Sequence, residues 1–134
     1  LSTKIGFVNG CFDILHIGHI ALFDFCKSHC DYLIVGIDTD DRVSAHKGPN
    51  RPFNAFEDRK TMLMAIKYID EVVGFSTDSE LTDMIRNINP DIMVVGSDWQ
   101  NKKVIGAEYA KELKFFRRID GYSTTKILES SSHR

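Results

Sequence analysis

Five short and nearly unbroken apolar runs set the terms for any fold: 5–8, 32–37, 71–75, 92–95 and 113–116. Runs of this length without polar alternation suit strands covered on both faces, the condition of a parallel sheet. The stretches between them carry helical spacing. Ile20, Phe23, Cys26 and Cys30 mark one, and Phe56, Met62, Leu63, Ile66 and Ile69 a second. Leu81, Met84, Ile85 and Ile88 mark a third, which Asn89-Pro90 should stop. Strand alternating with helix predicts an α/β class, a doubly wound, five-stranded parallel sheet with helices on both faces and right-handed crossovers.

With 134 residues the chain is sized for one domain, expected over 1–129, with a disordered polar tail at 130–134. A net charge of −2 exerts no general pull on nucleic acid or an acidic membrane surface. No apolar run approaches the roughly 20 residues of a membrane span, and no leader pattern opens the chain, so a cytoplasmic location is expected. Cys11, Cys26 and Cys30 are an odd number without CxxC spacing. Even with His29 beside Cys26 and Cys30, they read as free thiols rather than a disulfide framework or zinc site.

In open parallel sheets, ligands bind beyond the carboxyl ends of the strands, where the strand order reverses. The segments leaving those ends are 9–19, 38–54, 96–105 and 117–125, and they hold nearly all the unusual chemistry. The first reads Asn9-Gly10-Cys11-Phe12-Asp13-Ile14-Leu15-His16-Ile17-Gly18-His19. Two histidines flank a glycine where a strand passes into a helix. A helix start offers unpaired N–H groups and the positive end of its dipole, so a phosphate can be held there. Gly18 permits close approach of ligand to backbone. A dinucleotide site would require G-x-G-x-x-G, and Gly10 is followed by Cys11 and Phe12, so Asp38 as a ribose partner does not rescue that reading.

Nucleotidyl transfer suits the histidines better. A phosphate monoester is already an anion at neutral pH and attacks an α-phosphate without a strong base. The protein has to align two repelling anions and stabilise the charge growing on the α-phosphate. The bland alternative is that His16 caps the helix and His19 fills a surface groove.

The segment from Gly10 to His19 resembles the signature of the cytidylyltransferase-like nucleotidyltransferases. The ending Arg118-Ile119-Asp120-Gly121-Tyr122-Ser123-Thr124-Thr125-Lys126-Ile127 resembles their second signature. Class I aminoacyl-tRNA synthetases share His-Ile-Gly-His, but they are much longer and carry a second motif that has no counterpart here. Two branches of the family compete. Gly96-Ser97-Asp98-Trp99, Asp70-Glu71-Val72-Val73 and Arg118 are similar to glycerol-3-phosphate cytidylyltransferase. Asn9-Gly10-Cys11, Lys47-Gly48 with Arg51-Pro52, and Val104-Ile105-Gly106 are similar to the adenylyltransferase that makes ADP-heptose from heptose 1-phosphate. Weighting the substrate-side residues Arg118 and Trp99 favours CTP with glycerol 3-phosphate, giving CDP-glycerol. Heptose 1-phosphate with ATP is the alternative, and a nucleotide-binding module without turnover is a rival from another class.

The resemblance implies a Rossmann-like fold and a set of roles. His16, His19, Lys47 and Arg118 would be catalytic, with Lys47 on a polar loop, 40–52, closing over the phosphates. Asn9, Gly10, Phe12, Asp13, Gly18, Gly96, Asp98, Ser123, Thr124 and Thr125 would bind the nucleotide. Arg59, Asp38 and Trp99 would bind the acceptor phosphate, with Arg51 a lesser candidate for work like that of Lys47. Asp120 and Gly121 would shape a turn. Mg²⁺ would accompany the triphosphate on an unidentified ligand, and the family implies a homodimer.

Overall fold

Alternate residues of the inner strands face opposite sides, and each side meets its own helices. The computed structural model describes residues 3–117. The elements are β1 (Ile5–Gly10), α1 (Ile17–Ser28), β2 (Tyr32–Asp38), α2 (Asp40–Lys47), α3 (Phe56–Met64), β3 (Glu71–Phe75), α4 (Asp78–Ile88), β4 (Ile92–Gly96) and β5 (Glu112–Phe116). Two 3₁₀ turns, Ser97–Trp99 and Ala107–Tyr109, lie between β4 and β5. All four strand pairings are parallel, and the order is β3-β2-β1-β4-β5. The expected α/β, Rossmann-like sheet with helices on both faces is therefore what the chain forms. The proposed tail, 130–134, lies outside the described residues.

On one face Val8, Leu33, Val35, Ile37 and Val94 pack with Phe23 and Cys26 of α1 and Leu63 of α3. On the other, Phe7, Ile34 and Met93 pack with Leu81 and Ile85 of α4. Burying each such side chain stabilises the fold by about 1.5–3 kcal/mol. The α4 helix is closed at both ends. The Thr77 side chain accepts from the Glu80 amide at 3.1 Å, and Asn89 takes a left-handed φ of 47° ahead of Pro90.

Local boundaries differ from the sequence expectation in three places. α1 starts at Ile17, three residues before its first marked apolar position. α3 stops at Met64 instead of running to Ile69, because Ala65 and Ile66 donate to Met62 and Leu63 three residues back and tighten the chain into turns. Residues 40–47 form the helix α2 rather than a loop.

The amino-terminal edge of the sheet is clipped by aspartates. Asp31, Asp70 and Asp91 each stand one residue before a strand and accept from a backbone amide of the neighbouring strand or its lead-in. The donors are Lys4, Leu33 and Ile5, each at 2.8 Å. Asp70 also pairs with Lys27, and Asp91 with Lys111 at 2.9 Å. Among the described residues no helix is long and apolar enough to cross a membrane.

The opposite edge opens. β1 and β2 stay in register to Gly10 and Ile37, but the β1–β4 ladder ends at Val8 and Val94. Beyond that pair the two strands leave each other, at the point where the strand order reverses. The crevice expected at such a switch point lies there.

Candidate active site

The crevice is a cleft of about 480 Å³. Asn9, Gly10, Cys11 and Phe12 line it from β1 and the turn after it, and His16, Gly18 and His19 from the start of α1. Asp38 and Lys47 border it on the β2–α2 side, and Gly96 and Trp99 on the β4 side.

The histidines are locked to the helix start by a reciprocal cap. The Gly18 amide donates to His16 Nδ1, and the His16 amide donates to His19 Nδ1, each at 3.1 Å. The ring centroids are 3.9 Å apart. With Nδ1 an acceptor in both rings, each neutral imidazole carries its proton on Nε2. His16 does cap the helix, as the bland reading held, and so does His19. Capping uses Nδ1, which leaves Nε2 as the donor nitrogen of each ring. Phe12, at a left-handed φ of 48°, sets its ring edge-on to His19, with centroids 5.5 Å apart, and packs on Phe23.

Two expected ligand contacts are internal fastenings instead. Asp13 is buried, and its carboxylate accepts from the amides of Phe53 at 2.7 Å and Asn54 at 2.8 Å, with Arg51 Nε at 3.4 Å. Both oxygens are engaged in holding the 51–54 loop to the turn, so Asp13 positions the site rather than the nucleotide. Arg51 lies behind that turn, with one terminal nitrogen buried and unpartnered. Arg59, expected at the acceptor phosphate, is 1% exposed. It donates to the carbonyls of Asn54 (3.0 Å), Cys11 (3.1 Å) and Asp38 (2.7 Å) and to the Asp40 carboxylate (2.7 Å). A guanidinium used in this way ties the ends of β1 and β2 together from below.

Nor do Arg59, Asp38 and Trp99 form one phosphate site. Asp38 and Trp99 leave strands with β1 between them, about 10 Å apart at the strand spacing. The β4 side of the cleft is apolar, with Val95, Val104 and Ile105 beside Trp99, which is 43% exposed. The α2 side is charged. Besides Lys47 it presents Arg42 and His46, which the sequence reading missed. They sit four apart on α2, and His46 Nδ1 meets the Arg42 carbonyl at 2.9 Å. Lys47, expected on a loop, stands in the last turn of α2, ended by Gly48 at a φ of 104°. Burial pushes the Cys11 thiol up against the opposing charges of Lys47 and Arg59, so Cys11 is a poor nucleophile. Asp98 is carried on the Ser97–Trp99 turn. Arg118, Asp120, Gly121, Ser123, Thr124 and Thr125 lie outside the described residues.

Among the described residues no group of three His, Cys, Asp or Glu side chains is placed to hold a metal ion. A magnesium ion carried largely by triphosphate oxygens would ask for only one or two carboxylates of the protein.

A family model described as cytidylyltransferase-like matches residues 7–130. The chain is 47% identical over 128 residues to the bifunctional protein HldE of Sulfurimonas denitrificans, and 45% identical over 129 residues to that of Helicobacter hepaticus. Each match covers 96% of this chain but 27% of the relative, so the chain spans about a quarter of the length of these relatives. Among solved structures, a lipopolysaccharide core biosynthesis protein from Thermoplasma volcanium shares the fold. Its TM-score is 0.69 at 22% identity, over 87% of this chain and 98% of that one. Pantothenate synthetase from Thermus thermophilus shares it more distantly, at a TM-score of 0.54 and 12% identity, over 94% of this chain and 64% of that one.

Proposed function

We propose that this chain, which belongs to the cytidylyltransferase-like family, transfers a nucleoside monophosphate from a triphosphate to a small phosphate monoester. The observation that carries the reading is the reciprocal histidine cap at the mouth of the opened strand pair. Two imidazoles are fixed with Nε2 as donor beside a helix N-terminus, where charge on an α-phosphate can be met without reorganisation.

An acceptor phosphate oxygen forms the new bond to the α-phosphorus, the bond to the bridging oxygen breaks, and pyrophosphate leaves with its electron pair. No proton has to move. His16 and His19 stabilise the α-phosphate as charge builds, and Lys47 draws the acceptor phosphate in from the α2 side. Trp99 and the apolar β4 wall suit a nucleobase. Magnesium, when bound, would neutralise part of the triphosphate charge. Arg118 and the Ser123-Thr124-Thr125 segment retain their proposed roles on the triphosphate, and a homodimer remains part of the proposal by resemblance.

For the substrate pair, the relatives favour ATP and heptose 1-phosphate, giving ADP-heptose, over CTP and glycerol 3-phosphate. The lean toward CTP rests on Arg118, which lies outside the described residues, and on Trp99. An exposed indole beside an apolar wall can stack on either base, so it does not choose between them. Pyrophosphate release is the test, with ATP and CTP each paired with heptose 1-phosphate and glycerol 3-phosphate. ATP with heptose 1-phosphate should turn over fastest. Turnover of CTP with glycerol 3-phosphate alone would reverse the assignment, and silence in all four pairings would remove the transferase reading.

A further inference from the structure

Asp38 is the single carboxylate among the described residues lining the cleft, and it stands among the cations of α2. Its side chain is 19% exposed, and Oδ1 lies 3.6 Å from Arg42 Nε, too far for a hydrogen bond. Arg42 is drawn the other way. It donates to Asp78 Oδ1 at 2.8 Å and to the Ser76 carbonyl at 3.4 Å, with its guanidinium 5.1 Å from the centre of the Phe75 ring. No described residue donates a hydrogen bond to either Asp38 carboxylate oxygen. Burial pushes this carboxyl up, against the pull of Arg42, Lys47, Arg59 and His46. A half-buried carboxylate left with open lone pairs is costly unless something completes it.

An ionised carboxylate only accepts hydrogen bonds, and so does a phosphate dianion, so Asp38 cannot be what holds the acceptor phosphate. Its complement is a hydroxyl donor. The amino group of a nucleobase is the wrong donor in position, because the apolar wall that suits a base lies across β1 beside Trp99.

We infer that Asp38 is a specificity-determining residue that accepts hydrogen bonds from hydroxyl groups of the acceptor. The acceptor is then a phosphorylated sugar or polyol, selected against a plain alkyl phosphate of the same charge. Lys47 and His46 attract the phosphate, and Asp38 reads what is attached to it. The inference takes from the nucleotidyl-transfer reading only the side on which the acceptor lies, and equilibrium binding tests it without turnover.

Calorimetric titrations would compare wild type, Asp38→Asn and Asp38→Ala against heptose 1-phosphate, glycerol 3-phosphate, propyl phosphate and ATP. Wild type is expected to bind the better of the two polyol phosphates about 10- to 100-fold more tightly than propyl phosphate, the scale of one charge-assisted hydrogen bond. Asp38→Ala should erase that preference while leaving propyl phosphate and ATP affinities within about 2-fold. Asp38→Asn, close in shape, keeps one acceptor oxygen and should fall between, which guards against a folding artefact. No preference in wild type, or a preference that survives in both variants, overturns the inference. A preference that depends on Asp38, without pyrophosphate release from any pairing, would sink the transfer reading and leave this one standing.

Discussion

His16 and His19 hold the helix start through Nδ1 and, in the proposed function, meet the ligand through Nε2, a division that makes the two roles separable by mutation. Alanine at position 16 would remove a cap as well as a donor, so it would confound the two roles. Asparagine is a good N-cap residue but cannot place a donor where Nε2 sits. His16→Asn should therefore stay within about 0.5 kcal/mol of wild type in urea denaturation. Its kcat should fall about 10²- to 10³-fold in pyrophosphate release, the usual loss for one transition-state donor. An unchanged kcat would remove His16 from the chemistry. Arg59 makes the contrast. Four hydrogen bonds end on a fully buried guanidinium. Arg59→Met would strip the Asn54, Cys11 and Asp38 carbonyls of their donor and should lower stability by about 3–5 kcal/mol, read as a shifted denaturation midpoint. A selective rise in acceptor KM at normal stability would restore the phosphate-binding role. The spacing of the histidines was readable because a turn between strand and helix leaves few options for side chains three apart. The direction of Arg59 was not, since a matching arginine on a helix says nothing about which side of that helix is covered.

Among the elements, the strands and α4 were legible because burial writes itself as apolar runs or as a stripe at helical spacing. α2 was not. Of its eight residues only Val43 is buried, so no stripe marks it. Its first turn carries Asp40 and Asp41 and its last His46 and Lys47, a charge order suited to the helix dipole that the sequence reading passed over. Missing the helix also hid Arg42 and His46, since residues four apart share a face only once the backbone is helical. The apolar wall on the other side depends on Gly106, at a φ of 81°, where an added Cβ would fall 2.5 Å from Ile85 Cδ1 and 3.1 Å from Ile85 Cβ. Gly106→Ala should cost about 1–3 kcal/mol and shift the adjoining Val104 and Ile105 away from the cleft. The expected kinetic sign is a raised KM for the triphosphate with acceptor KM little changed. A variant as stable as wild type would show that the turn yields more easily than its contacts imply.

Across the molecule, the two ends of the sheet have different chemistry. Burial alone would raise the Asp70 carboxyl, but the Lys27 ammonium and the Leu33 amide outweigh it and hold it below its usual range. The Lys111 ammonium and the Ile5 amide hold Asp91 low in the same way. A carboxyl lowered by folding contributes stability above its unfolded value, and that contribution is lost as pH falls through the folded value. Stability should thus decline as pH is taken from about 5 to 2, and less steeply in Asp70→Asn than in wild type. Equal slopes would show that the clip is not coupled to folding. The switch point itself was legible from the alternation of strands and helices, but the early end of the β1–β4 ladder at Val8 and Val94 was not, because register belongs to pairs of strands and no single run records it. The aspartate clips and the cleft share no residue. A lineage can therefore exchange Asp38, Arg42 or Trp99 and try new substrates while the far edge goes on holding the sheet. Change at the cleft and support of the sheet are thereby separable.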